Sequence, residues 1–203
     1  MAAALVRLTC AAFALGAAAL WVRAAHPHSA HHHQVEQTPG YARHLANYRL
    51  PETTLVRADG AKVSFTKEID DGRPVVLNFI YTTCTAVCPV LSQSFAGLQR
   101  SLGAERDRVR MVSISIDPEQ DSPERLAQYA RRFGAGRQWS FYTGSLKSSI
   151  TLQKAFQAYF GNKMHHRPMT FMRVAPGEPW VRIEGFATPD ELLTEYRRLV
   201  AGR

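Results

Sequence analysis

From residue 48 onward, apolar positions alternate between runs that suit buried strands and spacings that suit amphipathic helices. The segment 75–81 (VVLNFIY) is almost entirely apolar, as expected of a strand covered on both faces, and 109–116 predicts a second central strand. A helix is predicted after Pro89, and another begins where Ser122 precedes Pro123. The apolar stripes of these two helices are Leu91, Phe95, Leu98 and Leu102, and Leu126, Tyr129, Ala130 and Phe133.

The segments around this centre complete an α/β pattern. A short first strand is predicted at Lys62–Thr66, after the turn Asp59-Gly60. Later come a strand, a helix, a hairpin around Pro176-Gly177, and a last helix that begins with a capping box at Thr188. The predicted strand covers about 139–142 and the predicted helix about 148–160. The two strands of the hairpin cover 169–174 and 180–184. This order predicts one α/β domain at 48–203 with a thioredoxin-like fold, in which helices flank a mixed central sheet.

The N-terminal part has the pattern of an export segment followed by a linker. Arg7 supplies a positive region and Leu8–Val22 is uncharged and apolar, so residues 1–24 are predicted to be a signal peptide or membrane anchor. Residues 25–47 are polar, contain the histidine tract 26–33 and lack apolar periodicity, which predicts a flexible His-rich tether. We therefore expect an exported protein on the periplasmic side of a bacterial inner membrane, anchored there or released after cleavage.

Bulk composition narrows the classes of function. Of the 203 residues, 45% are hydrophobic and 21% are charged, which is typical of a globular protein. A net charge of +8 would suit a nucleic-acid binder, but the arginines are scattered and no nucleic-acid motif accompanies them. We therefore predict a solvated basic surface with no nucleic-acid partner and some attraction to anionic lipid or an acidic protein.

Candidate chemistry centres on Cys84 and Cys88, because the third cysteine, Cys10, lies in the N-terminal apolar stretch. The pair stands where the strand 75–81 should turn into a helix, so both sulfurs are predicted on one face of the first helical turn. Such a pair can ligate a soft metal, close a disulfide or pack as two small apolar residues. Because a helix N-terminus favours thiolates, metal binding and redox chemistry both stay open at this point.

A histidine donor is predicted from the topology. Met164-His165-His166-Arg167-Pro168 precedes the strand 169–174, and in a thioredoxin-like fold the segment before this strand packs against the cysteine turn. Pro168 occupies that position, which would bring His165 or His166 within reach of the two sulfurs. Two thiolates and an imidazole suit copper, because sulfur holds Cu(I) and imidazole suits Cu(II).

With their flanks, these residues resemble a known family, the Sco/SenC proteins, which are copper-binding thioredoxin-like proteins of respiratory-chain assembly. Asn78–Pro89 (NFIYTTCTAVCP) is similar to the family's F-x-Y-T-x-C-x-x-x-C-P signature. Further similarity lies in Ser113–Pro118 (SISIDP), in Asp121-Ser122-Pro123 and in the late histidine. The resemblance covers roughly residues 50–200, which is nearly the whole predicted domain.

The resemblance implies a copper site made by Cys84, Cys88 and one histidine. His166 fits the family pattern best, since Pro176 follows ten residues later, and His165 is then the polar residue before the ligand. Asp117 matches the family's Asp-Pro motif, and we expect it to cap its loop or, with His165, to support the site from outside the ligand set. We also expect Cys84 and Cys88 to form a redox-active disulfide whose closure blocks copper loading.

The family resemblance also implies the biological setting. Family members deliver copper to the dinuclear copper centre of cytochrome c oxidase subunit II, or adjust the thiols of that centre. The expected function is therefore a copper metallochaperone, with subunit II or a similar copper acceptor as partner and a copper donor upstream. We expect a chaperone rather than an enzyme, while thiol–disulfide oxidoreductase activity stays open.

Three other functions would use the same cysteines. A thiol–disulfide oxidoreductase usually carries Cys-x-x-Cys, so the three-residue spacer between Cys84 and Cys88 counts against it without excluding it. A copper or redox sensor would have the same ligands and a signalling partner. A peroxiredoxin-type peroxidase carries the pattern P-x-x-x-T-x-x-C. Thr85 and Cys88 fit its threonine and cysteine, but Tyr81 stands where the pattern requires proline.

Overall fold

The computed structural model describes residues 35–38 and 40–202, which form one mixed sheet with helices on both faces. The strands are β1 (Val35–Thr38), β2 (Tyr41–Ala46), β3 (Thr54–Arg57), β4 (Lys62–Ser64), β5 (Val75–Ile80), β6 (Arg110–Ser115), β7 (Trp139–Thr143), β8 (Met169–Arg173) and β9 (Trp180–Gly185). The helices are α1 (Phe65–Ile69), α2 (Val87–Ser101), α3 (Pro123–Arg132), α4 (Leu146–Ala155) and α5 (Pro189–Ala201). Short 3-10 turns cover Gly103–Arg108 and Lys163–His165.

The sheet is mixed, as predicted, with β5 and β6 at its centre. Its strand order is β1-β2-β9-β8-β5-β6-β7-β3-β4. β5, β6 and β7 run parallel to one another, whereas β8 pairs antiparallel with β5 on the other side. Because β5 and β6 are parallel neighbours, their carboxyl ends meet at the same edge of the sheet, and the segments that follow them lie close together.

Strand β5 shows how the two cores are built from a nearly continuous apolar run. Successive side chains of a strand point to opposite faces, so Val75, Leu77 and Phe79 pack with α1 and α4, while Val76 and Ile80 pack with α2, α3 and α5. All six residues of β5 are buried, which explains why the run lacks a polar face. The buried strand therefore carries Tyr81 and the cysteine segment out of the middle of the domain.

The structure corrects the C-terminal part of the predicted flexible tether at 25–47, which is the part that it describes. From residue 35 the chain forms the β1–β2 hairpin, and β2 pairs with β9 from Tyr41–Gly185 to Ala46–Trp180. The exposed hydrogen-bonding groups of an edge strand can pair with any extended segment, so the hairpin needs no strong apolar pattern of its own. The predicted export segment 1–24 and the histidine tract lie outside the described residues. Among those that are described, no helix is long and apolar enough to cross a bilayer.

Two local predictions also need correction, and one strand was missed. The predicted strand Lys62–Thr66 ends at Ser64, because the chain turns there into the short helix α1. Strand β3, which pairs with β4 and β7, was not predicted. The helix predicted at 148–160 is too long, because α4 ends at Ala155 and Gln157 has a positive φ of 54°, a conformation that a helix cannot continue through.

Candidate metal centre

The two cysteines flank the start of α2, but they do not share its first turn. Helix α2 begins at Val87, so Cys88 lies in the first turn and Cys84 lies in the segment before it, which corrects the sequence prediction. The N-cap position is Ala86, whose side chain cannot accept a hydrogen bond. Instead the backbone N–H of Cys88 donates to Cys84 Sγ at 3.3 Å. The Cys84 sulfur thus satisfies one of the N–H groups that every helix start leaves unpaired.

The two thiols have opposite acid–base character. Burial raises the pKa of Cys84, but hydrogen bonds from the backbone of Cys88 and Ala86 outweigh it and hold that pKa below its ordinary value. Cys88 is completely buried, and burial raises the pKa of its thiol far above the usual range. The only backbone group donating to the Cys88 sulfur within the described residues is the N–H of Tyr81, at 3.4 Å. Cys84 is therefore the more readily formed thiolate and the more accessible sulfur.

Tyr81 lies between the cysteines and the predicted histidine. Burial and a hydrogen bond with the Cys84 thiol raise the pKa of Tyr81 to about 12, so its hydroxyl keeps its proton at neutral pH. Its ring meets the ring of His166 edge to face, with 6.3 Å between the ring centres. In the sequence, Tyr81 stands out only as the residue that breaks the peroxidase pattern. Its place within the family signature was the signal that could have identified it as a site residue.

The structure distinguishes the two candidate histidines by burial. The ring of His166 is largely buried, both of its nitrogens are shielded from solvent, and neither has a hydrogen-bond partner of good geometry. Burial lowers the pKa of His166 to about 4, against a smaller opposing effect of the Phe79 backbone, so the ring is neutral at pH 7. His165 is exposed at the end of the 3-10 turn Lys163–His165. A neutral imidazole with free nitrogens is available as a metal ligand.

The three predicted donors are neighbours around Tyr81, but they do not form an assembled metal site. No group of three His, Cys, Asp or Glu side chains in residues 35–38 and 40–202 is placed to hold a metal ion. The donor types still fit copper, since two sulfurs and a free imidazole nitrogen suit both of its oxidation states. Cys84, Cys88 and His166 therefore stay predicted ligands, and their closure on a metal would need a shift of the side chains.

Asp117 contacts the histidine segment and not the cysteines. Its carboxylate is almost fully buried and pairs with Lys163 Nζ at 2.5 Å, which fastens the 3-10 turn before His166 to the end of β6. Its backbone carbonyl accepts from the N–H of Gln120 and Asp121, which closes its own loop. Asp117 therefore positions the segment that carries His165 and His166 and lies outside the predicted ligand set.

A second carboxylate, Asp121, holds the cysteine segment and was missed as a site residue. It is fully buried and accepts hydrogen bonds from the Ser115 hydroxyl at 2.6 Å and from the Thr82 hydroxyl at 2.5 Å. The Thr82 backbone N–H lies 3.2 Å from both carboxylate oxygens. These contacts tie the chain two residues before Cys84 to the end of β6. In the sequence, Asp121 stands out only through the family match, because its partner Thr82 is 39 residues away.

Comparison with known proteins gives one family match, which covers most of the domain. The family model described as SCO1/SenC matches residues 47–201. The SCO1 protein homolog of Bacillus subtilis (strain 168) is 35% identical over 105 residues, which are 51% of this chain and 53% of that protein. The chain spans about half the length of the curated relatives that it matches.

Solved structures share the fold over about three quarters of the chain. A SCO1/SenC family lipoprotein from Bacillus anthracis str. Ames is 27% identical with a TM-score of 0.67, covering 76% of this chain and 96% of that one. BsSco, a Sco-family cytochrome c oxidase assembly protein in which a disulfide switch was identified, is 25% identical with a TM-score of 0.65, covering 77% and 96%. Bradyrhizobium japonicum ScoI with copper bound is 22% identical with a TM-score of 0.61, covering 73% and 97%, and shows the fold alone. These structures confirm the predicted thioredoxin-like fold class.

Proposed function

This chain belongs to the SCO1/SenC family, and from that premise we propose that it is a copper metallochaperone. Cys84 and Cys88 bind Cu(I) as thiolates, and His166 adds an imidazole that accommodates Cu(II). Copper is the cargo, which arrives from an upstream donor and passes to the dinuclear centre of cytochrome c oxidase subunit II or a similar acceptor. The family's setting supports this, since BsSco is a cytochrome c oxidase assembly protein.

One observation carries the proposal: Tyr81 contacts both Cys84, whose thiolate is favoured, and His166, whose ring is neutral. Metal ligands must be deprotonated, and the lowered pKa of Cys84 favours its thiolate. His166 is neutral at pH 7 and its ring nitrogens make no hydrogen bond of good geometry. A histidine that only filled space would be expected to satisfy its buried nitrogens, since an unpaired buried polar group costs about 1–3 kcal/mol.

The geometry favours loading through Cys84. Cys84 is the more accessible sulfur and its pKa is lowered, so copper binds there first by displacing a ligand of its donor. Cys88 is buried and the pKa of its thiol is raised, so it keeps its proton until copper replaces that proton on the sulfur. Release to an acceptor follows the reverse order, by exchange with the acceptor's thiolates. Copper keeps its charge at each exchange, and no electrons are transferred.

Redox state then controls loading. Exchange with the disulfide of an oxidising protein joins Cys84 to Cys88 and removes both sulfur ligands, while that disulfide takes up the two electrons and two protons and becomes two thiols. Both cysteines are free thiols here, and the Cys84 sulfur lies 3.3 Å from the backbone nitrogen of Cys88. The disulfide switch of BsSco supports this part of the proposal.

A specific observation favours a second candidate, thiol–disulfide exchange with the cysteines of the acceptor. A less buried thiol with a lowered pKa beside a fully buried thiol with a raised pKa is the arrangement of an attacking and a resolving cysteine. In that case Cys84 attacks a disulfide of the acceptor, and Cys88 then displaces the acceptor thiolate to close the pair. His166 would have no part in this reaction, and this difference separates the two functions.

Copper titration of the reduced full chain tests the ligand set. We expect a thiolate-to-Cu(II) charge-transfer band in the wild type and in His165→Ala, the matched control, and loss of the band in His166→Ala. Retention of the band in His166→Ala but not in His165→Ala would overturn the choice of histidine. Unchanged copper binding in both Cys84→Ser and Cys88→Ser would refute the copper function. Disulfide exchange that survives in His166→Ala while copper binding is lost would support the second candidate as an additional activity.

We further propose that the predicted domain 48–203, extended by the β1–β2 hairpin, binds copper and that residues 1–24 export it to the periplasmic side of the membrane. The apolar stretch Leu8–Val22 supports this, and the Bacillus anthracis relative is a lipoprotein. Cell fractionation of the full chain tests it: recovery in the cytosol would contradict export.

A further inference from the structure

One methionine is exposed at the edge of the cysteine segment. Among the residues described, Met111, Met169 and Met172 are buried, whereas Met164 is 71% exposed. Methionine usually fills gaps in a core, so packing does not account for this side chain. The hydroxyl of Tyr81 lies within reach of two sulfurs and can donate its single proton to either, to Met164 Sδ at 3.9 Å or to the neighbouring Cys84 thiolate. The thioether and the accessible thiol are therefore both neighbours of one hydroxyl group.

The backbone of Met164 is fixed by its neighbours on both sides. The side chain of Asn162 caps the 3-10 turn by accepting from the Met164 N–H at 2.9 Å. Lys163 is tied to the buried carboxylate of Asp117 at 2.5 Å. The turn thus holds the Met164 side chain at the edge of the site, while its three rotatable bonds leave the sulfur free to move.

The position matters because Cys84, which shares the neighbour Tyr81 with Met164, is the less buried of the two cysteines. Cys88 is completely buried, whereas Cys84 keeps 9% exposure. A thioether is a soft, neutral donor that suits Cu(I) and needs no proton loss before it binds. It is also a weaker donor than a thiolate, so it can bind an incoming ion without competing with the final ligands.

We propose that Met164 is an entry ligand, which binds Cu(I) together with Cys84 while copper passes between its donor and the buried pair. In the loading direction, a Cu(I) bond to the donor breaks as the bond to Met164 Sδ forms. The Cu(I)–thioether bond then breaks as the Cys88 sulfur bonds to Cu(I), and the Cys88 proton passes to water. The charge of copper stays +1 throughout. This inference deepens the proposed copper function and rests on it.

Stopped-flow transfer of Cu(I) from a coloured Cu(I) chelator to the reduced full chain provides the test. Met164→Leu keeps the size and apolar character of the side chain and removes only the sulfur. We expect it to load about tenfold more slowly, which corresponds to roughly 1.4 kcal/mol in the barrier. Its equilibrium affinity for Cu(I) should change by less than about twofold, because the final ligands are intact.

Val200→Ala is the matched control, since it trims another exposed apolar side chain near the end of α5. The preceding turn of α5 lies beyond the C-terminal end of α2, where Arg197 pairs with Glu105, whereas the cysteines lie at the N-terminal end of α2. Loading by Val200→Ala should equal that of the wild type. A Met164→Leu rate within about twofold of the wild type would overturn the inference. Equal slowing in both variants would overturn it too, because the effect would then belong to exposed apolar surface in general.

A second measurement uses the unchanged protein. Titration of the wild type with Ag(I), a stable substitute for Cu(I), should shift the methionine methyl NMR signal of Met164 at low occupancy, while the signals of Met111 and Met169 stay in place. An unshifted Met164 signal throughout the titration would count against an entry ligand. Failure of the copper function has a different signature: Cys84→Ser and Cys88→Ser would then bind Cu(I) as tightly as the wild type.

Discussion

Replacing Asp121 by asparagine tests how the cysteine segment is held in place. Asp121 is fully buried, and its carboxylate accepts from the hydroxyls of Ser115 and Thr82 at 2.6 Å and 2.5 Å and from the Thr82 backbone N–H at 3.2 Å. Asparagine keeps the shape but replaces one oxygen with an NH₂ group. A hydroxyl can rotate to accept from that group, whereas the Thr82 N–H can only donate.

The magnitude follows from these contacts. A hydrogen bond to a charged group contributes about 1.5–3 kcal/mol, and a buried donor left unpaired costs about 1–3 kcal/mol. Asp121→Asn weakens three such bonds and leaves one donor facing another, so we expect the free energy of unfolding to fall by roughly 2–4 kcal/mol. Because the loop before Cys84 loses its anchor, copper affinity should fall by about 10- to 100-fold, as for other residues that orient metal ligands.

Urea denaturation of the reduced full chain measures the first effect, and competition with a Cu(I) chelator measures the second. Asp107→Asn is the control, because Asp107 also pairs through its carboxylate, with Arg137 at 2.6 Å, but on the exposed surface. We expect no measurable change in that variant. If Asp121→Asn unfolds within about 0.5 kcal/mol of the wild type, the reasoning about the buried carboxylate is wrong.

Three further predictions concern the thiols, the histidine and the helix packing. Iodoacetamide at neutral pH should modify Cys84 well before Cys88, because the pKa of Cys84 is lowered while that of Cys88 is raised by burial; mass spectrometry showing Cys88 modified first would contradict this. The pKa of His166 is lowered to about 4 from an ordinary 6.5, so the unfolded chain binds more protons between these values, and the urea midpoint should fall as pH drops from 6.5 to 4. An equally steep fall in His166→Asn would show that other groups cause it. Gly97→Ala should cost about 1–3 kcal/mol in unfolding free energy by urea melts, because the new Cβ would lie 2.3 Å from Pro189 Cγ; a neutral result would show that α5 can shift.

Local patterns predicted the parts of the fold that local chemistry decides. The apolar run 75–81 became β5, and 109–116 became β6, each shorter by one or two residues. Ser122 caps α3 through its hydroxyl as expected. The capping box at Thr188 is complete, with Glu191 returning the hydrogen bond. Strand burial and helix capping depend on residues within a few positions of each other, so the sequence is sufficient for both.

Predictions failed where a distant partner decides the conformation. The hairpin β1–β2 lies in the predicted tether because β9 offers a free edge, and that edge is more than a hundred residues away. Cys84 lies outside α2 although its spacing from Cys88 suits a helical turn. The loop is held by Asp121 through Thr82, and no periodicity in the sequence records that contact.

By itself, the sequence determined the fold class, the position of Cys84 and Cys88 after a buried strand, and the resemblance that predicted copper. Only the tertiary structure decided how these residues differ. It made Cys84 the accessible thiol, left the nitrogens of His166 buried without partners, and placed Tyr81 against both. The physical reason is that pKa and ligand availability depend on burial and on hydrogen bonds across the sheet, which spacing along the chain does not encode.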